Sequence, residues 1–282
     1  MTDCIIIGSG LAGISAALTL QANRKSFLIF GSKSLSEKVE KAEKIHNYPG
    51  LSDISGKTFL DALQKQLLDA EIEIKEEKVA GVYALKENFT VLTQEGKQYE
   101  SRTVLLACGV ENVKQIQGEE EYLGRGVSYC ATCDGFLYKN KTIAVICTTK
   151  RLEHEIDFLA DVAQKVYLTP MYKDVKIKRD NVEIIRQMPK KIEGGLRVEK
   201  VVYPNAGVTV DGVFMLRESV SPAVLVGGLQ TENGHVVVGR DMSTNLKGCY
   251  AAGDCTGRPY QYAKAAGEGN IAAHSISEFL KE

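Results

Sequence analysis

A glycine-rich turn near the beginning of the chain restricts its fold more than any other feature. The apolar run 4–7 ends in a turn that reads Gly8-x-Gly10-x-x-Gly13. Residues 11–18 follow with helical spacing and small side chains that allow close packing. Glycines at these positions let the backbone of a strand-turn-helix unit meet a pyrophosphate group at the helix N-terminus.

A second apolar run, 26–30, completes a predicted βαβ unit. The pattern alone is also typical of a tight turn in any doubly wound fold, and no acidic residue closes the second strand, which ends at Gly31. The position of the turn directly after a strand favours dinucleotide binding over the simpler interpretation.

The remaining patterns predict an α/β fold with two nucleotide-binding-type, Rossmann-like domains, the second inserted into the first. Beyond the first unit, the predicted elements are a helix at 58–73, strands at 79–85, 89–93, 103–107 and 142–146, a helix at 153–163, a strand at 165–168 and a helix at 261–280. We expect a first domain over 1–112 and 243–282, interrupted by a central domain over 113–242.

Two cysteines lie two residues apart in the stretch Cys130-Ala131-Thr132-Cys133-Asp134. Thiols at this spacing can close a small, reducible ring, and the adjacent carboxyl group can move the protons that disulfide exchange needs. A zinc site would want a second Cys or His pair at ligand spacing, but the four histidines are scattered singly, so redox chemistry is favoured. Asp134 can also be interpreted as a helix or turn cap.

Composition is typical of a soluble globular protein. The 282 residues suffice for about two domains, and a formal charge of -1 gives no sign of nucleic-acid or membrane binding. No apolar run approaches the length of a membrane span, and we expect neither a signal peptide nor an anchor. These observations predict a cytoplasmic protein whose other five cysteines are reduced and mostly buried.

The order of the blocks resembles that of low-molecular-weight thioredoxin reductases. The glycine turn, the 130–134 block and the block Ala251-Ala252-Gly253-Asp254 occur in the sequence expected of that family, and the resemblance covers nearly the whole chain. Three further stretches are similar: 45–50, 106–109 (in which Cys108 replaces a threonine) and 126–129. The resemblance implies a two-domain FAD enzyme that is usually a homodimer.

An FAD site is predicted in the first domain. Asp254 can accept hydrogen bonds from a ribityl hydroxyl, and the helix after it directs its positive N-terminal end towards the flavin. Tyr260 replaces the arginine that precedes Gln261 in the family. Asp254 could instead be a helix cap, and Asn47 a turn residue before Pro49. The predicted FAD-binding residues are Gly8, Ser9, Gly10, Leu11, Ala12, Gly13, Gly31, Ser32, Asn47, Val79, Cys108, Gly109, Gly253, Asp254, Gln261, Tyr262 and Ala263.

The same resemblance implies roles for the redox residues. Cys133 lies next to the flavin and forms a charge-transfer thiolate, and Cys130 attacks the disulfide of thioredoxin. Asp134 is the expected proton donor and acceptor.

The central domain departs from the family at both places that bind NADPH. Its three turn positions hold Cys147, Thr149 and Leu152 instead of glycines, and their side chains obstruct a pyrophosphate. The stretch Pro170-Met171-Tyr172 replaces the basic cluster that binds the 2′-phosphate. The chain is therefore similar to ferredoxin-dependent flavin thioredoxin reductases, whose central domain lacks the NADPH motifs.

Reduced ferredoxin is accordingly the expected electron donor. A ferredoxin near about -400 mV lies about 130 mV below a thioredoxin near about -270 mV, which is worth about 6 kcal/mol for two electrons. Segment 164–200 carries ten basic and five acidic residues, an excess of +5 that suits an acidic ferredoxin but is also typical of a solvated face. The alternatives are a dithiol oxidase that uses oxygen, a second flavin in the altered turn, and a flavoprotein redox sensor or binding module.

Overall fold

The computed structural model describes residues 1–40, 42–110, 116–217 and 222–281. The chain forms two compact units, of which the first comprises Met1–Val110 with Ser221–Glu282 and the second comprises Glu111–Val220. Both units contain a parallel sheet with helices beside it, so the predicted α/β architecture with an inserted domain is confirmed.

The first part of the first unit contains the predicted βαβ arrangement. Its elements are β1 Thr2–Ile7, α1 Leu11–Ala22, β2 Phe27–Phe30, α2 Glu37–Glu40, α3 Gly56–Asp69, β3 Ile74–Lys75, β4 Val79–Ala84, β5 Phe89–Thr93 and β6 Gln98–Leu106. The amide of Thr58 donates to Ser55 Oγ at 3.1 Å, and this cap begins α3 two residues before the predicted start.

The second unit has a five-stranded parallel sheet and a separate antiparallel meander. Its elements are β7 Val127–Ser128, α4 Ala131–Asp134, β8 Thr142–Cys147, α5 Glu153–Val162, β9 Lys165–Pro170, β10 Val182–Ile184, β11 Lys191–Gly194, β12 Val198–Val202, β13 Gly207–Thr209 and β14 Gly212–Leu216. The sheet order is β10-β9-β8-β14-β7, and β11, β12 and β13 form the meander. The unit β8-α5-β9 matches the second predicted βαβ unit.

The chain then returns to the first unit. The remaining elements are α6 Pro222–Leu225, β15 Thr231–Glu232, β16 His235–Val236, β17 Cys249–Ala251 and α7 Tyr262–Phe279. Strand order in the main sheet is β3-β2-β1-β6-β5-β4, and β17 pairs in parallel with the second half of β6.

Four parallel strands of this sheet end at the same level. Ile7 of β1 pairs with Phe30 of β2 and with Leu106 of β6, and Leu106 pairs with Ala251 of β17. The turns that follow these strands therefore meet at one edge of the sheet, the place where parallel α/β folds bind ligands.

The domain boundaries differ from those expected. The first boundary, between 112 and 113, lies outside the described residues. The second lies near 221 rather than 243, because 222–242 belongs to the first unit. Val226 forms a β-bridge with Val82 of β4, and the amide of Ala251 donates to the Met242 carbonyl at 3.1 Å. These pairings hold the segment against the first sheet.

Helices α1 and α7 pack closely because small residues face each other. A Cβ atom added to Gly269 would lie 2.1 Å from the Ala12 carbonyl oxygen, so the two backbones approach as only glycine allows. Two residues earlier, a Cβ on Gly267 would have nothing within 4 Å.

Gly269→Ala should therefore lower the free energy of unfolding of the first unit by about 2–3 kcal/mol, because the added methyl group separates α1 from α7. Gly267→Ala, the matched control in the same helix, should raise it by up to about 1 kcal/mol through helix propensity. Thermal unfolding of the two variants beside the parent measures both effects. Equal shifts in the two variants would contradict the close contact.

Candidate active site

The glycine turn after β1 has the geometry that a dinucleotide requires. Gly8 has a φ of +117°, and a Cβ there would lie 2.2 Å from the Ala107 carbonyl oxygen. A Cβ on Gly13 would lie 1.9 Å from the Gly8 carbonyl oxygen, so strand and helix touch across the turn. At Gly10, in contrast, a Cβ would meet no atom within 4 Å. The open face of the turn is therefore beside Gly10.

The N-terminus of α1 is suited to an anion. Its N-cap is Gly10, which contributes no side-chain hydrogen bond, and the first turn contains no acidic residue. Leu11 and Ala12 are buried and pack into the core. The amides at this helix end and the positive end of the helix dipole can accept a pyrophosphate, so the residues present fit the predicted FAD.

The loops after β1 and β2 are joined by hydrogen bonds. Ser9 is buried, and its hydroxyl donates to the Ser32 carbonyl oxygen at 2.8 Å. The amide of Gly31 donates to the carbonyl oxygen of Lys75 at 3.0 Å. The hydroxyls of Ser32 and Ser34 lie 2.7 Å apart where many dinucleotide sites have a carboxylate.

Two predicted residues far apart in the sequence meet directly. Asn47 Nδ2 donates to Gln261 Oε1 at 2.6 Å across a separation of 214 residues. Tyr262 lies beside Phe59 with ring centroids 6.5 Å apart. Burial, and secondarily the negative charge of Asp254, raises the pKa of the Tyr262 hydroxyl, which therefore stays protonated. The 45–50 loop and the start of α7 thus form one site.

Lys264 and Glu268 organise the turn that begins at Asp254. Lys264 Nζ donates to the carbonyl oxygens of Gly253 and Gly257 at 2.8 and 2.7 Å and lies 3.2 Å from Glu268 Oε2. The same carboxylate oxygen accepts the amide of Gly253 at 2.8 Å. This pair was not predicted, because its spacing of four residues is typical of an exposed helical ion pair.

The other predicted cofactor residues lie at different distances from this edge. Cys108 and Gly109 follow β6, and burial raises the pKa of the Cys108 thiol to about 12. Ala263 is exposed in the first turn of α7. Val79 begins β4, which runs on the far side of β5, so the strand pairing does not bring it to the shared edge.

Cys130 and Cys133 form a disulfide in the second unit, with Cα atoms 5.3 Å apart. Cys130 is the N-cap of the four-residue helix α4, and the Cys133 amide donates to Cys130 Sγ at 3.2 Å. Cys133 is exposed, whereas Cys130 has only 9% of its surface exposed. Asp134 is half-buried and makes no side-chain capping bond to the following turn. The predicted redox residues are therefore contiguous, and Cys133 is the accessible sulfur.

The turn after β8 is filled by side chains. Cys147 Sγ donates to the Thr149 carbonyl oxygen at 3.2 Å, and Leu152 is buried. Burial raises the pKa of the Cys147 thiol to about 11. The three positions that hold glycine in a dinucleotide turn thus contribute packing and a hydrogen bond.

Helix α5 begins with the protein's own carboxylates. Glu153 and Glu155 lie in its first turn, and Glu155 is buried. Glu153 Oε1 accepts the Tyr172 hydroxyl at 3.2 Å and the amide of Lys176 at 2.9 Å. Negative charge already lies at the helix end where a nucleotide pyrophosphate would bind.

The structure also bears on two other classes of site, metal centres and membrane-spanning helices. Within 1–40, 42–110, 116–217 and 222–281, no three His, Cys, Asp or Glu side chains are grouped so that they could hold a metal ion. Across the same ranges, no helix combines the length and apolar character needed to span a membrane.

Comparisons with known proteins agree with this geometry. The family model described as pyridine nucleotide-disulphide oxidoreductase matches residues 2–269. Thioredoxin reductase of Helicobacter pylori is 31% identical over 100% of this chain and 99% of its own length. The solved structure of a ferredoxin-flavin thioredoxin reductase from Clostridium acetobutylicum is 44% identical, with a TM-score of 0.90 over 99% of this chain and 98% of its own. A thioredoxin reductase structure from Gloeobacter violaceus is 28% identical, with a TM-score of 0.78 over 99% of this chain and 94% of its own.

The fold, the glycine turn and the dithiol define a flavin-dependent disulfide oxidoreductase. The chain belongs to the pyridine nucleotide-disulphide oxidoreductase family. Within that family it is a homologue of the thioredoxin reductases, and its cofactor is FAD.

Native alkylation should separate the redox thiols from the buried ones. Burial raises the pKa of Cys4 to about 12 and that of Cys249 to about 11, so at pH 8 their thiolate fractions are only about 10⁻⁴ and 10⁻³. After mild reduction, iodoacetamide should label Cys130 and Cys133 first. As the pH is raised towards 11, Cys249 should become labelled before Cys4.

Peptide mass spectrometry of timed samples measures this order, and denaturation in urea, which exposes all seven cysteines, is the control. Labelling of Cys249 as fast as that of Cys133 at pH 8 would contradict the burial of its thiol.

Proposed function

We propose that this enzyme reduces the disulfide of thioredoxin through the Cys130–Cys133 pair, with electrons from reduced ferredoxin rather than NADPH. The observation that carries the proposal is the contrast between two helix N-termini. That of α1 has no side-chain cap and no acidic residue in its first turn, whereas that of α5 carries Glu153 and Glu155. One helix end can accept a cofactor phosphate, and the other already carries negative charge.

Electrostatics make a pyrophosphate at α5 costly. Two like charges 4 Å apart repel by about 4 kcal/mol at an effective dielectric constant of about 20. Tyr172, which stands where the family holds cations for the 2′-phosphate, donates instead to Glu153. The same repulsion counts against a second flavin in this turn, since FAD also carries a pyrophosphate.

A related structure supports the choice of donor. The Clostridium acetobutylicum protein at 44% identity is a ferredoxin-flavin thioredoxin reductase, and it matches nearly the full length of this chain. From it we take ferredoxin as donor and thioredoxin as substrate. We further propose that the enzyme is a homodimer, in line with the family resemblance, and that it is cytoplasmic, in line with its composition.

The residues of the first unit would hold FAD, and bound there FAD supplies two-electron redox chemistry. The turn Gly8–Gly13 would bind the pyrophosphate, and Asp254 would bind the ribityl chain. Asn47 and Gln261, which bond to each other, would orient the ring end of the site.

The dithiol then passes electrons to thioredoxin by exchange. Cys130, as thiolate, attacks a thioredoxin sulfur, so that the substrate disulfide breaks and a mixed disulfide forms. Cys133 attacks Cys130, which releases dithiol thioredoxin and re-forms the internal disulfide, while Asp134 transfers protons. Cys130 is largely buried while oxidised, so opening of the S–S bond must precede its attack.

The surface beside the dithiol suits a protein substrate. Phe136 and Leu137 follow the 130–134 motif after Gly135, and each is 67% exposed. Exposed large apolar side chains in contiguous positions are typical of protein contact sites. We propose that they meet the thioredoxin surface around its disulfide.

Basic residues of the 164–200 segment form the proposed ferredoxin surface. Within the described chain, three of the ten make ion pairs: Lys165 with Glu183, Arg179 with Asp157 and Asp161, and Lys191 with Glu193. The seven others are exposed, namely Lys173, Lys176, Lys178, Arg186, Lys190, Arg197 and Lys200. Exposed cations can steer an acidic protein into contact.

Thioredoxin reduction should occur with reduced ferredoxin and not with NADPH or NADH. Flavin absorbance reports reduction of the cofactor, and the number of thioredoxin thiols reports reduction of the substrate. Both are followed anaerobically with each of the three donors in parallel. Cys130→Ser should abolish thioredoxin turnover while the flavin is still bleached by ferredoxin, whereas Cys4→Ala, which alters a buried thiol outside the motif, should retain turnover.

Rapid bleaching of the flavin by NADPH would overturn the donor assignment. Oxygen consumption that needs a small dithiol and no thioredoxin would indicate the dithiol oxidase. A flavin-to-chain ratio near two would indicate a second bound flavin. Absence of any turnover would indicate a redox sensor.

The charge-reversal pair Lys173→Glu and Lys178→Glu should raise the KM for ferredoxin about tenfold at low ionic strength, and the effect should shrink as salt is added. Lys57→Glu with Lys86→Glu makes the same charge change at exposed sites of the first unit and is the control. Turnover driven by dithionite should be unchanged in both. Equal KM values for the two double variants would show that ferredoxin binds a surface other than the 164–200 segment.

A further inference from the structure

A buried charged network lies one residue away from the redox disulfide. Glu119 has no exposed surface, and Arg217 is 4% exposed; Glu119 Oε2 lies 2.9 Å from Arg217 Nη2. The other carboxylate oxygen, Oε1, accepts the hydroxyl of Tyr129, which is also buried and immediately precedes Cys130. The guanidinium lies 5.8 Å from the centroid of the Tyr129 ring.

The network joins three backbone segments of the second unit at one place. Tyr129 follows β7, Arg217 follows β14, and these parallel strands pair at Val213 with Val127 and at Phe214 with Ser128. Glu119 adds a third segment, since its Oε2 also accepts the amide of Ile116 at 2.9 Å. A buried carboxylate with one cation and two further donors holds these groups in a fixed geometry.

Cys130 is anchored to this network through the residues that precede it in the chain. Its amide donates to Ser128 Oγ at 3.1 Å, and Tyr129 before it is fixed by Glu119. Thr132 and Cys133 on the opposite side of the ring are exposed in a helix of only four residues. Once the S–S bond opens, the Cys133 side can move, and the position of Cys130 depends on the anchored side.

We propose that Glu119, paired with Arg217, is a positioning residue for the redox disulfide: through the Tyr129 hydroxyl it keeps Cys130 where the two thiols remain close after reduction. The inference rests on the proposed role of this disulfide. A loosened anchor lowers the effective concentration of one thiol at the other, so the disulfide becomes easier to reduce.

Equilibrium with dithiothreitol tests the proposal. Two electrons and two protons pass to the Cys130–Cys133 disulfide, which opens to two thiols, while one dithiothreitol loses them and closes to its cyclic disulfide. The FAD-loaded protein is equilibrated anaerobically in the dark at several reagent ratios, then trapped with iodoacetamide and analysed by peptide mass spectrometry.

Tyr129→Phe should raise this equilibrium constant about fivefold, equivalent to about 20 mV in a two-electron couple. Tyr203→Phe is the matched control. It also removes the hydroxyl of a buried tyrosine in the same unit, and that hydroxyl lies 2.9 Å from Oγ1 of the buried Thr169. It should change the constant less than twofold. Glu119→Gln should act in the same direction as Tyr129→Phe.

Equal equilibrium constants for Tyr129→Phe and the parent, or equal shifts in Tyr129→Phe and Tyr203→Phe, would overturn the proposal even if thermal stability falls. Should Glu119→Gln fail to fold, the two tyrosine variants still decide the question. The equilibrium needs neither ferredoxin nor thioredoxin, so its failure is distinct from failure of the proposed electron route.

Discussion

The parallel register of β1, β2, β6 and β17 is the constraint on which the cofactor site depends. Because Ile7, Phe30, Leu106 and Ala251 lie level, residues from four distant parts of the sequence emerge at one edge. Close packing of α1 on α7 then holds the glycine turn beside the Asp254 turn. The site is therefore a product of sheet geometry, and single residues contribute to it only because the strands end together.

The two nucleotide-type units share a strand-turn-helix geometry and differ in the residues that form the turn. In the first, glycines clear the turn and the helix end has no side-chain cap. In the second, Cys147, Thr149 and Leu152 fill the turn, and Glu153 satisfies donors near the helix end. The second unit thus has the same strand-turn-helix fold with a turn filled by side chains, and it carries the Cys130–Cys133 disulfide.

Much of the fold could be predicted because local patterns were strong. The first βαβ unit, the second one and α7 follow from glycine spacing and apolar periodicity. Family resemblance singled out Asn47 and Gln261 separately, and only the structure shows that they bond to each other. Strands of two or three residues, such as β10 and β15, have no periodicity to detect. The expected boundary at 243 differs from the observed one near 221 because the pairing of Val226 with Val82 of β4 is non-local, and no local sequence pattern reveals such a pairing.

The residues that organise the sites were the least predictable. Lys264 and Glu268 have the spacing of an ordinary surface ion pair, and only the fold shows that they bind the backbone around Gly253. Glu119 and Arg217 are 98 residues apart, and each alone is an unremarkable charged residue in a sequence. Burial, which decides the importance of a charge, is a property of the tertiary structure.

The carboxylate at the start of α5 has a consequence for the choice of small molecules. Compounds that imitate the diphosphate of a pyridine nucleotide would be repelled by Glu153 at this helix end, so inhibitors of NADPH-dependent enzymes built on that group should have little affinity for this unit. At α1 the opposite holds, since phosphate or sulfate in a buffer can occupy the helix end near Gly10 and compete with the incoming cofactor. Reconstitution with FAD should therefore be most complete in buffers free of such anions.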